Sequence, residues 1–539
     1  MSGIAGLVLA HVRRERVVLP VWILCIALLG FVVARAVATE FADESARVAI
    51  IGVAAASPAF LFIRGVPDGT GIGAVVFFQG YAFTAVLAAL MSTFFVIRNT
   101  RTDEELGRAE LVGSLPVRRA GPLVATLVLG TAANLVLALC VAAGFIAAGL
   151  PGSGALTAGA AVGAVGVFFV ATAAAVAQVM PSGRAANGAA AGLVGASYML
   201  RGIGDASGTP NADLTRVTSG WLSLLSPLGW GQRARPFSVA DPAPLLALTV
   251  AAAAIAVAVV VLRGRRDLGA GLLSERTGRE RAGAAGASLL GLAWHQQRAT
   301  LAGWCVAAAL LGGTAGGLAP VVTTAIDGNE SLGQLIARLV PGSQAEIIDV
   351  FTAALLGIAG VLAAAAGIQT VLRLRAEETE GRAELLLATP RSRARWLSAN
   401  LALAAASVVL VALVSGTAAA LGLALSGAAD GSSWYLVAAG LAHAPAAVVF
   451  VAAATLLFSA APRVCIPLGW GTLAGGLVLG QFGDLLRLPA WLQDLSPFRH
   501  SPAMPVEAFD PAAALTMTVI ALAGAGVGAY LLARRDLTP

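Results

Sequence analysis

The charged residues of this chain that could do chemistry are concentrated in one short pattern that occurs twice. Residues 101–119 read RTDEELGRAELVGSLPVRR, and residues 375–393 read RAEETEGRAELLLATPRSR. Each stretch interleaves acidic residues and Arg with Leu and is closed by Pro, which is typical of a short helix that ends before the Pro. A membrane-binding face would be uniformly basic. The mixed charges therefore favour a helix that docks against another protein.

The two stretches align without a gap at a constant offset of 274 residues. Nine of the nineteen aligned positions are identical: Arg101/Arg375, Glu104/Glu378, Gly107/Gly381, Arg108/Arg382, Ala109/Ala383, Glu110/Glu384, Leu111/Leu385, Pro116/Pro390 and Arg119/Arg393. The same offset pairs Phe77 with Phe351, and a second similarity joins WLSLLSP at 221–227 to WLQDLSP at 491–497. The pattern indicates two copies of one unit.

The amino-acid composition indicates the class of protein to which these two helices belong. Hydrophobic residues make up 58% of the chain and charged residues 12%, and the mean hydropathy is +0.84. These values indicate an all-α integral membrane protein, because each crossing needs about 20 apolar residues. About twelve apolar runs are long enough: 17–38, 75–97, 121–149, 155–179, 185–203, 243–263, 299–320, 351–373, 396–426, 433–459, 464–482 and 512–533.

Six runs in each copy predict two parallel six-helix repeats. We expect a first half over 1–263, a cytoplasmic linker over 264–290 and a second half over 291–539. Of the 35 basic residues, all Arg, 25 lie in or beside cytoplasmic segments if both termini are cytoplasmic. The positive-inside rule favours that orientation in the plasma membrane and places both charged stretches in the cytoplasm. Alternatively, the charged stretches serve only to fix this membrane topology and bind no partner.

Few other residues suggest chemistry. The four Cys residues are far apart, and neither a metal-binding spacing nor a catalytic cluster is present, so we predict no catalytic or metal-ligating residue. The chain has no Lys, whereas a P-loop needs G-x-x-x-x-G-K-[ST]. It is therefore predicted not to hold ATP in that manner and not to be an enzyme. Arg201 and Asp205 are four residues apart and are predicted to pair at the end of the fifth run.

The acidic pair, the Gly-Arg-Ala-Glu-Leu sequence and the following Pro, placed after the second helix of a six-helix unit, resemble the permeases of ABC-2-type exporters. The two-copy chain with its Trp-Leu and Leu-Ser-Pro segments is similar to the actinobacterial exporters of polyketide antibiotics, the tetronasin-type permeases with multidrug efflux relatives. This resemblance covers essentially the whole chain. It implies amphipathic elbow helices at 2–16 and 286–298.

The resemblance further implies that each charged stretch is a coupling helix seated on a separate nucleotide-binding subunit. Two copies of that ATPase, carrying ATP and Mg²⁺, are expected, and no nucleic acid. The residues carried over to this contact are Arg101, Glu104, Gly107, Arg108, Glu110, Arg375, Glu378, Gly381, Arg382 and Glu384. Gly would permit close approach, and Glu and Arg would form charge-assisted hydrogen bonds. Alternatively, Glu104 and Arg108, spaced i and i+4, pair only with each other.

A pathway for a hydrophobic small molecule is a further expectation. The candidates are aromatic and polar residues of the membrane spans: Phe77, Phe78, Gln79, Tyr81, Tyr198, Phe351 and Gln369. Phe77, Phe78 and Tyr81 share one helix face in a chain with only 6% aromatic residues. Helix packing or contact with lipid at the interface explains the same aromatic face equally well.

The function predicted from these features is an ATP-driven exporter permease that extrudes hydrophobic compounds from the cytoplasm or the inner leaflet. A proton-coupled secondary transporter is one alternative, although it would need carboxylates in mid-membrane, where the sequence places none. A mechanotransmitting membrane subunit, which conducts no substrate itself, is the other.

Overall fold

The fold is given by a computed structural model, which describes residues 2–56, 58–114, 118–265, 283, 286, 288–317, 344–426, 433–481 and 488–536. The chain divides into two compact units, 1–277 and 278–539. The division falls inside the stretch that the sequence analysis assigns to the linker. Each unit is described by itself below.

The described residues of unit 1 are mainly helical and include one short antiparallel ribbon, Thr209–Pro210 with Val217–Thr218. Its α-helices are α1 (Ser2–Glu15), α2 (Val18–Glu40), α3 (Glu44–Ala56), α4 (Pro58–Arg64), α5 (Ile72–Arg98), α6 (Arg101–Glu105), α7 (Arg108–Gly113), α8 (Gly121–Ala147), α9 (Gly152–Val179), α10 (Gly183–Ala206), α11 (Pro227–Gln232) and α12 (Ala243–Arg265). A 3₁₀ helix, Trp221–Leu225, precedes α11.

Unit 2 follows the same plan within its described residues. Its α-helices are α13 (Leu289–Gly317), α14 (Gln344–Thr379), α15 (Arg382–Leu387), α16 (Arg393–Leu425), α17 (Tyr435–Leu441), α18 (Ala444–Ala460), α19 (Cys465–Gln481), α20 (Ala490–Gln493) and α21 (Pro511–Arg534). A 3₁₀ helix, Pro497–His500, follows α20.

Ten helical segments of the described chain are long and apolar enough to cross a membrane, which confirms the predicted all-α membrane fold. They are α2, α5, α8, α9, α12, α13, α14, α16, the α17–α18 pair and α21. The other two predicted spans, 185–203 and 464–482, are also helical, as α10 and α19. Helix α10 is less apolar because it contains several Gly residues, Asn187 and Arg201, and α19 has only 17 residues.

The two predicted elbow helices differ from each other. In unit 1, α1 is separated from α2 by a turn at Arg16 and Val17. In unit 2, α13 continues without a break through 289–317, so the expected separate elbow over 286–298 is not found. In unit 1 the buried carboxylate of Glu15 accepts hydrogen bonds from Arg98 and Asn99 at the end of α5. In unit 2 Gln297 is also buried and donates to the carbonyl of Thr370 in α14 across 3.5 Å, although no turn follows it.

Long helices within each unit approach closely at small residues. A Cβ added at Gly159 in α9 would lie 2.2 Å from the carbonyl oxygen of Ala138 in α8. In unit 2, a Cβ added at Gly312 would lie 2.0 Å from the carbonyl oxygen of Ser415 in α16. Such contacts are typical of membrane helices, where close backbone packing takes the place of a hydrophobic driving force.

The repeated Trp-Leu and Leu-Ser-Pro segments have the same structural role in both units. Ser226 donates a hydrogen bond to the carbonyl of Ser197 in α10 across 2.6 Å, and Ser496 donates to the carbonyl of Gly476 in α19 across 2.6 Å. Trp221 and Trp491 are both exposed, as expected for rings at a membrane interface. The internal repeat thus extends from sequence to individual hydrogen bonds.

Replacing Gly312 by Ala is expected to destabilise unit 2, because the added methyl group would force the backbones of α13 and α16 apart. Overpacking of this kind costs roughly 1–3 kcal/mol. The midpoint of thermal unfolding in detergent measures the effect. Gly303→Ala is the matched control, since a Cβ there meets nothing within 4 Å. Equal unfolding midpoints for the two variants would contradict the close packing.

Candidate functional site

Each charged stretch folds into a helix, a tight turn and a second short helix, here called the turn element: residues 101–113 in unit 1 and 375–387 in unit 2. The turn lies at Gly107 and at Gly381, and both have a φ of 72°. A non-glycine residue rarely adopts this left-handed conformation. A Cβ at either glycine would meet nothing within 4 Å. The glycines are therefore required by backbone conformation and not by close approach within their own unit.

The base of the turn element in unit 1 is a buried ionic cluster. Arg101 donates to Glu104 across 2.8 Å, and Arg263 at the end of α12 contacts the same carboxylate at 2.9 Å. The Glu104 side chain is only 7% exposed. Arg101 also donates to the carbonyl of Pro181, between α9 and α10. The cluster fastens the turn element to the last membrane helix of its unit.

Unit 2 contains the same cluster, built from equivalent and non-equivalent positions. Arg375 donates to Glu378 across 3.2 Å, and Arg535, immediately after α21, contacts the other carboxylate oxygen. The Glu378 side chain is 1% exposed. Arg263 and Arg535 could not be found from the repeat, because they do not share the 274-residue offset. The signal that could have found them is that an apolar last helix ends in Arg in both halves.

The tip of each turn element is exposed. Leu111 and Leu385 are 74% and 76% exposed, although both are large apolar residues among charges. The preceding Glu110 and Glu384 are exposed as well. A conspicuous apolar side chain therefore projects at the same repeat position in both units.

The two Arg residues that follow the turns are bound by carboxylates of their own turn elements. Arg108 bonds to Asp103 at 3.1 Å, so the alternative i,i+4 pair with Glu104 is not formed. Arg382 makes two hydrogen bonds to Glu377, at 2.8 and 3.0 Å. These bonds raise the pKa of Arg382 above its ordinary value, which keeps the guanidinium charged.

The ten residues predicted for the ATPase contact thus lie in three settings. Buried at the base are Arg101, Glu104, Arg375 and Glu378. At the turn are Gly107 and Gly381. Beyond the turn, and at least partly exposed, are Arg108, Glu110, Arg382 and Glu384. Among these ten, Arg108, Glu110 and Glu384 are exposed, and exposed Leu111 and Leu385 lie beside them.

The aromatic residues predicted for a substrate pathway are packed inside unit 1. Phe77 stacks on Tyr81 with ring centroids 4.6 Å apart, and the Tyr81 hydroxyl donates to the Leu228 carbonyl across 2.7 Å. Phe77 and Phe78 line a cavity of about 40 Å³ together with Phe237. The packing alternative therefore accounts for Tyr81, while Phe77 and Phe78 retain contact with a small void.

The other pathway candidates of unit 1, Gln79 and Tyr198, do not line that cavity. The Tyr198 hydroxyl donates to the Ile63 carbonyl across 2.7 Å, and Gln79 is half-buried. In unit 2, exposed Gln369 accepts a hydrogen bond from the Trp304 indole across 2.6 Å. The backbone of Phe351 belongs to α14, but its side chain lies outside the described residues.

One buried ion pair of unit 1 agrees with the sequence prediction. Arg201 donates to Asp205 across 3.0 Å, and neither side chain is exposed. Gln232 also donates to Asp205 across 3.1 Å, and Arg201 donates to the carbonyl of Phe62 across 2.7 Å. The pair ties the end of α10 to α4 and α11. It stabilises the end of the unit opposite to α1.

Glu378→Gln is expected to lower the stability of the protein by roughly 3 kcal/mol, because it leaves the neighbouring guanidinium groups of Arg375 and Arg535 without a buried counter-charge. The thermal unfolding midpoint in detergent measures the loss. Glu384→Gln, an exposed carboxylate in the same turn element, is the control and should leave the midpoint unchanged. If the Glu378→Gln variant has the same unfolding midpoint as this control, the cluster does not stabilise the protein.

Comparison with known proteins identifies the family of this fold and site. The family profile described as "Multidrug efflux system permease Rv1217c, C-terminal domain" matches residues 287–532. The multidrug efflux system permease protein Rv1217c of Mycobacterium tuberculosis is 35% identical over 539 residues, which covers 99% of this chain and 95% of that protein. The chain belongs to the family of multidrug efflux system permeases that includes Rv1217c.

Proposed function

We propose that this chain is the membrane permease subunit of an ATP-driven exporter, and that its two turn elements are the docking sites for separate nucleotide-binding subunits. The observation that carries the proposal is the pair of exposed tips at Leu111 and Leu385. Both tips stand on buried ionic clusters that reach the last helix of their unit. A force applied at a tip would pass to membrane helices through these clusters.

The chemistry of the tips suits a protein partner. A large apolar side chain ringed by charges is a common anchor of protein interfaces, where it fills a pocket and the charges around it exclude water. Leu111 and Leu385 would provide the anchors, and Glu110 and Glu384 would pair with basic groups on the partner. Because these residues occur at the same register in both units, each unit would dock one copy of the same subunit.

ATP and Mg²⁺ are assigned to that partner. A chain without Lys cannot provide the P-loop Lys that reaches the terminal phosphates. The energy for transport would therefore enter through the docked subunits, and this chain would have no catalytic role. Two tips predict two ATPase copies for each permease chain.

The orientation proposed for the chain follows from its Arg residues. With both termini in the cytoplasm, 25 of the 35 Arg residues lie on the cytoplasmic side of a plasma membrane, including those of both turn elements. In this orientation the tips face the compartment that supplies ATP.

The proposed cargo is a hydrophobic small molecule that leaves from the cytoplasm or the inner leaflet. The Mycobacterium tuberculosis relative is named a multidrug efflux system permease protein. This name supports a cargo range that includes several hydrophobic drugs. A polyketide antibiotic is a narrower suggestion from the resemblance. Phe77 and Phe78 stay as candidates for the route of such a cargo, and the cavity of about 40 Å³ that they border would have to widen to admit it.

Replacing both tip leucines, as Leu111→Asp with Leu385→Asp, is expected to abolish copurification with a coexpressed ATPase and to reduce drug efflux at least tenfold. The reason is that two anchors are lost from two interfaces, each worth about 2 kcal/mol or more. Copurification and the efflux of a fluorescent hydrophobic drug measure the two effects.

Leu106→Glu is the control for that double variant. Leu106 is 58% exposed in the same turn element, and unit 2 already carries Glu380 at the equivalent position. This variant should retain both the complex and efflux. If the double variant also keeps its ATPase and its efflux, the docking role of the tips is refuted.

A further inference from the structure

Unit 1 contains a large cavity beside its turn element that the proposed function does not use. Its volume is about 510 Å³, within the range of small-molecule sites in proteins. It is enclosed by α1, by α7, and by the neighbouring ends of α5, α8, α9 and α12. These are the ends of four membrane spans, so the cavity lies at the depth of lipid headgroups.

One part of the cavity wall is apolar and another part is basic. Leu7 of the elbow helix, Val112 of the turn element and Leu123 of α8 form the apolar part. The basic part is formed by Arg108, Arg118, Arg119 and Arg263. A ligand that satisfies both parts must carry an anionic group joined to an apolar chain.

The acidic residues of the cavity neutralise only a part of its basic wall. Asp103 is already bonded to Arg14 and Arg108. Glu104 is held in the buried cluster, where Arg263 contacts it through one guanidinium nitrogen. The other terminal nitrogen of Arg263 has no hydrogen-bond partner, although the residue is only 8% exposed. A buried donor without an acceptor is costly, and a bound oxyanion would satisfy it.

The rim of the cavity adds further positive charge. Arg118 and Arg119 are exposed and form no ion pair with any residue that the structure describes. His11 of α1 also faces the cavity, and its Nδ1 atom lacks a partner. Burial lowers the pKa of His11, so its ring is neutral at pH 7 and offers a hydrogen bond without a charge.

The equivalent place in unit 2 is filled. Seven residues that line a cavity there are equivalent, at the 274-residue offset, to residues that line the cavity of unit 1: Arg373, Leu374, Glu377, Arg382, Ala383, Leu386 and Trp396. The cavity there has a volume of only about 20 Å³. The indole of Trp396, which is 4% exposed, takes the position of Pro122. Ser392 stands in place of Arg118 and caps α16. Of the two equivalent places in the described residues, only the one in unit 1 thus has room for a ligand.

We propose that the cavity of unit 1 binds the phosphate headgroup of an anionic phospholipid, with Arg263, Arg118 and Arg119 on the phosphate and the apolar wall on the start of the acyl chain. The proposal is independent of the exporter function, because it concerns this chain alone in its membrane. An inorganic phosphate shares the headgroup chemistry but leaves the apolar wall without a partner. The elbow helix α1, with exposed Leu9 and Val12, would guide the lipid from the surrounding leaflet.

Binding of phosphatidylglycerol to the purified full chain in detergent tests the proposal by native mass spectrometry titration. Arg118→Gln with Arg119→Gln is expected to weaken binding at the saturable phosphatidylglycerol site about thirtyfold, since each Arg strengthens the attraction roughly five- to sixfold. Pro122→Trp, which copies the filled site of unit 2, should abolish that site. Because Arg118 and Arg119 are exposed, their double variant tests the site even if the Trp variant does not fold.

Three comparisons complete the test. Arg391→Gln with Arg395→Gln, which removes two exposed Arg residues near the equivalent helix start in unit 2, should leave binding unchanged. Phosphatidylcholine should not fill the site, and inorganic phosphate at the same concentration should not displace phosphatidylglycerol. Unchanged binding in the Arg118 and Arg119 variant would overturn the proposal. Displacement by inorganic phosphate would overturn the lipid assignment in favour of a free oxyanion.

Discussion

The architecture of each unit depends on one buried carboxylate held between two guanidinium groups. Removing an ion from water costs several kcal/mol, and the cost is recovered only where opposite charges and hydrogen bonds meet it with good geometry. Glu104 and Glu378 meet that condition because one Arg comes from the turn element and another from the end of the last membrane helix. The cluster cannot form unless the two elements are in place, so it fixes their relative position.

This constraint explains why the turn elements look as they do. With the acidic base buried, the chain must reverse immediately afterwards, and a glycine in the left-handed region makes the reversal without strain. The short helix beyond the turn then projects Leu111 and Leu385 away from their units. A rigid base and an exposed apolar tip both suit the docking role that we propose for these elements.

Much of this arrangement could be predicted from the sequence. The membrane class, the helical runs and the paired charged stretches depend on local composition and on a gapless repeat, and these features need no knowledge of tertiary contacts. The Arg201–Asp205 pair was predicted for the same reason, since it lies within one helix turn. The fate of Glu104 could not be predicted, because its partner Arg263 is 159 positions away in the chain and belongs to a different helix. Local spacing suggested Arg108 instead, and the tertiary contact prevailed.

The difference between the cavities of the two units could not be predicted from the sequence either. At the aligned positions Pro122 and Trp396 the sequence shows only a substitution, whereas the structure shows an open cavity in one unit and a filled one in the other. Likewise, unit 2 has one continuous helix, α13, where unit 1 has α1, a turn and α2. Duplication thus preserved the base and tip of the turn elements while the surroundings diverged.

The central claim is that one chain carries two equivalent docking elements for an ATPase. The mass of the purified complex, measured by native mass spectrometry after coexpression with the ATPase of a neighbouring gene, tests it most directly. The account predicts two ATPase copies bound to each permease chain. A complex with a single ATPase copy at saturation, or a permease that binds none, would contradict it.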